Sequence, residues 1–504
     1  MKRLLYLVVL ISFPIIVTAQ KFNQERMDKL AAEYAKLSFP MLQSFLSIPN
    51  VADNHADIEK NVQWCEREFK SRGFATTRIE TSTVPLLLAE RKHKKAKKTL
   101  LVYLQLDGQP VDTSQWDQEH PFIPALKKQN EDGRWAEIPW DNIANYEDEW
   151  RIFARAASDA KGPVMMFLMG LDITAAEGFM PNYNLKVIMD FEEEIGSPRL
   201  PGAVKENMEL LKSDMLIIFD GPRHLSNKPT LAFGARGIAE IGITTYGPVR
   251  PQHSGHYGNY APNPALRLAQ LLASMKDEDG RVTIPGFYDG IEIDAETEKL
   301  LRAVPDDEKR IKEYLQIGSF DKVGSYYQEA LQFPSLNIRG MQSGWINEEA
   351  RTIVPAWAKA EIDVRLVLES DPERLINLIK NHIEQQGFYV TDHAPTKEER
   401  MKHEKVAMIT SSVSYQSFRT DFNTEVGQWL RKAMNRAFGE DPVMIRTMGG
   451  SIPISPFVNT LGIPAVAVPT VNRDNNQHSP NENLRLGNYR DGIKTMVAIL
   501  TEKL

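Results

Sequence analysis

Between Phe22 and Phe74 apolar residues recur at helical spacing. Met27, Leu30, Ala31, Tyr34 and Leu37 form one stripe and Val62, Trp64 and Phe69 another, so two amphipathic helices are expected to open the folded chain. Beyond them the pattern shortens. Thr99 to Leu106, Leu185 to Phe191 and Met215 to Phe219 are apolar runs of strand length, separated by helical stretches such as Pro163 to Ala176. Strands alternating with helices predict an α/β domain whose mostly parallel central sheet is flanked by helices. Ligands of such sheets gather at the carboxyl ends of the strands, and each of the three runs ends in acidic or amide residues.

Near Pro229 the texture changes to alternating strand patterns, Gly237 to Tyr246 and Ala358 to Leu366, mixed with amphipathic helices at Asn263 to Met275 and Pro372 to Gln386. This predicts a smaller α+β domain inserted as a lid. A helix containing Trp429, Leu430 and Phe438 then leads to Gly449-Gly450-Ser451 and the strand-like Ile463 to Val468, where the first domain resumes. The expected division is a signal segment at 1–19, a first catalytic part at 20–229, the lid at 230–410 and a second catalytic part at 411–504.

Composition narrows the function. With 504 residues, 42% of them hydrophobic, the chain is long enough for two or three cores. Its formal charge of -7 comes without a long basic block, which argues against a nucleic-acid partner. The basic run Arg91 to Lys98 is expected to be a solvated hairpin loop. Lys2 and Arg3 precede an apolar run from Leu4 to Ala19 that is shorter than the roughly 20 residues of a spanning helix, so a cleaved signal is expected, with a secreted or periplasmic product and no membrane contact after cleavage. Cys65 is the only cysteine, which rules out an intramolecular disulfide. The tryptophan-rich stretch from Val111 to Trp150 is expected to be a packed surface excursion, or else a wall of the pocket or a dimer edge.

Four segments carry candidate chemistry: Gln105-Leu106-Asp107-Gly108, Ser158-Asp159-Ala160-Lys161-Gly162, Glu192-Glu193-Glu194-Ile195-Gly196, and Gln477-His478-Ser479-Pro480-Asn481-Glu482, with Asp220 after the strand from Met215. Water activation by divalent cations needs carboxylates to hold the charge, histidine as a neutral ligand and a spare carboxylate as base. Each has a plain alternative: a solvated acidic face for the glutamates, a helix cap for Asp159, a turn for Asp220 and a surface position for His478. Their joint occurrence at strand ends favours a site.

With these segments, and with Arg236-Gly237, His253-Ser254-Gly255-His256-Tyr257-Gly258, Arg351-Thr352-Ile353-Val354-Pro355, Arg365 and Gly449-Gly450-Ser451-Ile452-Pro453, the chain resembles the zinc exopeptidases of metallopeptidase family twenty from about residue 25 onward. That family includes carnosinase-like dipeptidases, glutamate carboxypeptidases, aminoacylases and succinyl-diaminopimelate desuccinylase. The resemblance implies a ferredoxin-like lid that also dimerises. It implies that Asp159 bridges two Zn2+ ions, Glu194 and His478 complete one site and Asp220 serves the other, with Glu193 as general base. It further implies that Asp107 supports the site, that His253 reaches a neighbouring subunit's site in a homodimer, and that Thr352, Arg365 and Ser451 hold the substrate.

One position departs from the family. Its His-x-Asp becomes Gln105-Leu106-Asp107, so one metal ligand is weakened or lost. An amide oxygen is a poorer zinc donor than imidazole, which leaves one or two ions per chain open, with Mn2+ or Co2+ as alternatives. Asp107 is expected to accept from the Gln105 amide and turn its oxygen to a metal. The implied activity is hydrolysis of amide bonds in short peptides by a dipeptidase or carboxypeptidase. The alternatives are an N-acyl amino acid amidohydrolase, or a catalytically impaired peptide-binding protein.

Overall fold

The structure, a computed structural model, describes residues 22–504. Along the chain its first strands are β1 (Ala75–Ile79), β2 (Leu86–Arg91), β3 (Thr99–Gln105), β4 (Ala125–Gln129), β5 (Trp135–Glu137), β6 (Arg151–Phe153), β7 (Asn184–Asp190), β8 (Met215–Ile218), β9 (Thr230–Ala232) and β10 (Gly234–Ala235). Then come β11 (Gly237–Tyr246), β12 (Gln252–His253), β13 (Ser335–Gln342), β14 (Ile353–Val354), β15 (Trp357–Leu366), β16 (Tyr389–Thr391) and β17 (Val406–Tyr415). The last are β18 (Phe418–Arg419), β19 (Val443–Ile445), β20 (Ala465–Ala467) and β21 (Asn483–Arg485).

The central sheet has the order β1-β2-β7-β3-β8-β20-β9-β19, and its interior pairs β7/β3, β3/β8 and β8/β20 are parallel. Strand β3 shows why it needs cover on both faces: Leu100, Val102 and Leu104 enter one core, Leu101 and Tyr103 the other. Helices Gln24–Leu46, Lys161–Ala176, Glu425–Phe438 and Leu486–Thr501 contribute to the first core, and Leu200–Glu206 and Ser455–Leu461 to the second. Apart from Lys161 at its start and Asp172, the helix Lys161–Ala176 is apolar on nearly every side because other elements enclose it. A Cβ on its Gly170 would lie 2.6 Å from Met496 Cβ, so glycine lets the C-terminal helix come that close.

The two opening helices span Gln24–Leu46 and His55–Ser71. The basic run is a connection rather than a hairpin loop, because β2 pairs with β7 and not with β3. The smaller sheet has the order β13-β15-β11-β17-β16, and a third core containing Leu268, Leu271, Leu375, Ile379 and Ile383 joins it to helices Pro264–Ala273 and Pro372–Gln385. The second begins where expected, under a cap from Asp371, and the first begins one residue late because Asn263 is its cap rather than its first residue. The tryptophan-rich excursion supplies β4 and β5, which join β6, just after it, and β21 in a four-stranded sheet. Trp135 covers the Arg151 guanidinium and Trp116 that of Arg155.

Candidate active site

The parallel strands β3, β7 and β8 bring three chain segments to one sheet edge. There Gln105, Glu193 and Asp220 line a cavity of about 420 Å³ together with Asp159, Ser451 and His478. A larger hollow of about 850 Å³ lies in the inserted domain between Arg281 and Ala330, and no residue singled out in the sequence lines it.

Asp107 is fully buried, and its two carboxylate oxygens accept the backbone N–H groups of Glu193 (3.0 Å) and Glu194 (2.9 Å). It thereby fixes the short turn Glu193–Ile195, which closes at Gly196 with φ of +90°. Glycine is required there twice over, for the left-handed backbone and because a Cβ would lie 2.8 Å from the Tyr415 hydroxyl. Burial, then the charges of Asp220, Glu194, Asp159 and Asp107, hold the Glu193 carboxyl well above its ordinary pKa. Such a group takes up a proton readily.

On the opposite wall His478 Nε2 lies 3.1 Å from Asp159 Oδ2 and 3.2 Å from Glu194 Oε2. Hydrogen bonds to Asp159 and Glu194 raise the imidazole to about 10. One ligand atom each from Asp159, Glu194 and His478 lies within 4.8 Å of the others. Two carboxylates converging on one imidazole nitrogen form a donor set that suits one divalent cation, which would replace the shared proton. Gln109 Nε2 donates to Glu194 Oε2 at 2.9 Å, and Gln477 Nε2 to Asp159 Oδ2 at 2.8 Å. Asp220, raised to about 8 by burial and by Asp159, accepts the Gly221 N–H at 2.6 Å.

Gln105 differs from its expected role. Its Nε2 donates to Asp159 Oδ1 at 2.5 Å, not to Asp107, whose oxygens are taken by the glutamate turn. Its Oε1 is buried without a hydrogen-bond partner among the described residues.

Arg365 on β15 donates to Ser451 Oγ at 2.9 Å and so reaches the cavity rim. His253 and Thr352 stand apart from it. They are exposed and lie together at the β12/β14 ribbon, where the Ser254 N–H donates to Thr352 O at 3.0 Å.

Sequence reasoning missed the buried carboxylate behind Asp159. Glu482 Oε1 accepts from Ser158 N, Ser158 Oγ and Asp159 N, and Oε2 from Ala156 N and Arg155 Nη1, all at 2.9 Å. All five neighbours donate, so the ionised carboxylate is the form that fits. The only signal was its place four residues after His478. Tyr415 was missed because the turn it covers is distant in sequence.

The model of peptidase family M20/M25/M40 matches residues 106–502, and the chain belongs to that family. By that membership it is a metal-dependent peptidase. Over 428 residues, covering 83% of this chain and 82% of the relative, it is 28% identical to a Cys-Gly metallodipeptidase of Saccharomyces cerevisiae. It is 26% identical to the Beta-Ala-His dipeptidase of Rattus norvegicus, covering 83% of this chain and 80% of the relative. Among solved structures it is similar to an M20 family metallo-carboxypeptidase from Sulfolobus solfataricus, with a TM-score of 0.74 and 27% identity over 92% of this chain and 98% of that one. The secreted or periplasmic location expected from residues 1–19 is corrected by the comparisons, because the similar dipeptidases are mostly intracellular or cytosolic enzymes. A short apolar run is a compositional signal only, and here it lies outside the described residues.

Proposed function

We propose that the protein is a dipeptidase that binds zinc through Asp159, Glu194 and His478 and uses Glu193 as general base. The observation that carries the reading is Glu193, a proton-seeking carboxyl in the same cavity as Asp159 and His478 and held by Asp107 in one turn with Glu194. A divalent cation held by Asp159, Glu194 and His478 would supply Lewis acidity for activating a water and the scissile carbonyl. Glu193 takes the proton from the attacking water and returns it to the leaving amine. Arg365, steadied by Ser451, offers a planar fork to the substrate's terminal carboxylate. The amidohydrolase and peptide-binding alternatives are set aside. The similar Saccharomyces cerevisiae and Rattus norvegicus proteins are named dipeptidases, and three candidate cation ligands and the base are all present.

Exposure supports a homodimer through the inserted domain. Strand β13 is a sheet edge, and Met341 on it and Ile346 after it are 55% and 74% exposed, with Trp345 and Trp357 also open to solvent. An unpaired edge strand with exposed apolar side chains on and around it invites pairing, and a second copy would cover it. The β12/β14 ribbon then carries His253 and Thr352 toward the partner's cavity. Among the described residues no helix is long and apolar enough to cross a membrane.

Zinc-loaded protein is expected to hydrolyse dipeptides in preference to N-acyl amino acids and to lose turnover on chelation. Glu193→Gln should keep its metal and lose about 10³-fold or more in kcat. Undiminished turnover in that variant would remove Glu193 from the mechanism.

A further inference from the structure

We propose that the cavity holds a single divalent cation and that Gln105 and Asp220, in place of a second ion, receive the substrate's own ammonium group. The inference rests on the dipeptide reading above. A second ion would need three things of this chain: a free oxygen of Asp159, a ligand atom from residue 105 and a group that keeps that atom aimed at the metal.

The geometry opposes each of them. Asp159 Oδ1 already accepts the Gln105 amide N–H at 2.5 Å, while Oδ2 serves His478 and Gln477. An amide is a dipole, so only one of its ends can face a carboxylate, and the end facing Asp159 is the donor. Turning the amide over would set two acceptors against each other. The residue that would steer the ligand in a two-ion site is unavailable, because both Asp107 oxygens are held by the glutamate turn. Gln105 is itself 2% exposed at the end of β3, so its side chain cannot swing into solvent.

Two groups then remain without their expected work. Gln105 Oε1 is a buried acceptor without a partner, and the residue lines the cavity. The Asp220 carboxylate lines it as well, with the Gly221 N–H as its hydrogen-bond donor. An amide oxygen and a carboxylate in one cavity match an alkylammonium, which brings three N–H donors and one positive charge. A dipeptide carries that group on its amino-terminal residue, and an N-acyl amino acid does not. The arrangement therefore selects a free amino terminus.

Elemental mass spectrometry after loading with zinc is expected to give about one ion per chain, and manganese-loaded protein to show the spin-resonance signal of isolated ions. Gln105→His should raise the content toward two. Asp220→Asn should keep its one ion while KM for dipeptides rises about 10-fold or more. Two ions in the wild type, loss of the ion in Asp220→Asn, or an unchanged KM would each overturn the proposal. Stoichiometry is read whether or not turnover occurs. Two ions with dipeptide hydrolysis would sink this inference alone, and one ion with no dipeptide hydrolysed would sink the dipeptidase reading.

Discussion

Replacing Glu482 by glutamine should loosen the metal cage without touching a ligand. The side chain is fully buried, and its two oxygens collect five donors. An amide keeps one acceptor oxygen and turns the other into a donor. If the change falls on Oε2, the Ala156 N–H and the Arg155 guanidinium lose their acceptor. If it falls on Oε1, the Ser158 and Asp159 N–H groups lose theirs, while the Ser158 hydroxyl can rotate away. Two hydrogen bonds to a charged group at about 1.5–3 kcal/mol each put the cost at roughly 3–6 kcal/mol, toward the upper end where the buried arginine is left uncompensated. Asp159 moves with its own N–H, so cation affinity should weaken about 10–100-fold, the usual effect of removing a group that orients a ligand. Competition against a chelating dye measures the affinity, and urea unfolding of the metal-free protein measures the stability. If both stay within about threefold of the wild type, the carboxylate is not what holds Asp159.

Other perturbations reach different parts of the molecule. Gly196→Ala forces an alanine into a left-handed backbone and against Tyr415, so a loss of about 2 kcal/mol with a fall in kcat is expected, and a thermal midpoint equal to the wild type would refute it. His382 is buried against Ser274, and burial lowers its pKa below 6.5. The unfolded chain therefore binds the extra proton as pH falls below 6.5, so stability drops on the acid side of that value, and His382→Gln should flatten this slope in urea titrations. If the proposed homodimer forms, mixing His253→Ala with Glu193→Gln subunits should restore about a quarter of wild-type turnover, because each mixed dimer would have one complete site. No recovery would place His253 outside the partner's cavity.

The strands and helices of the core were legible because their periodicities are long and clean. The pattern of Gly237 to Tyr246 matched β11 residue for residue, and the helix at Pro372 ended within one residue of its expected bound. The candidate ligands were legible because acidic and amide residues follow strand-length runs, which the parallel pairing of β3, β7 and β8 then gathers. Pairing partners were not legible. The basic run before Thr99 looked like a hairpin loop, yet β7 lies between β2 and β3 in the sheet. Local sequence does not encode which neighbour a strand finds across the sheet. The direction of the Gln105 amide was equally hidden, since it depends on Asp159, which lies 54 residues away, and on the competing claim of the glutamate turn on Asp107.

The position of β20 has a consequence for biosynthesis. Residues Ala465–Ala467 sit between β8 and β9, which end before residue 233. As the chain leaves the ribosome, the strands up to β8 must therefore wait with an open, apolar edge while more than two hundred further residues are made. The inserted sheet, whose strands all lie between Gly237 and Tyr415, has every pairing partner at hand well before then. It is expected to fold first, as a unit, while the surrounding domain closes only when its last quarter arrives and brings His478 with it. A chain halted just short of β20 would thus present a finished lid on an unfinished enzyme, with its sheet edge exposed to chaperones and to other nascent chains.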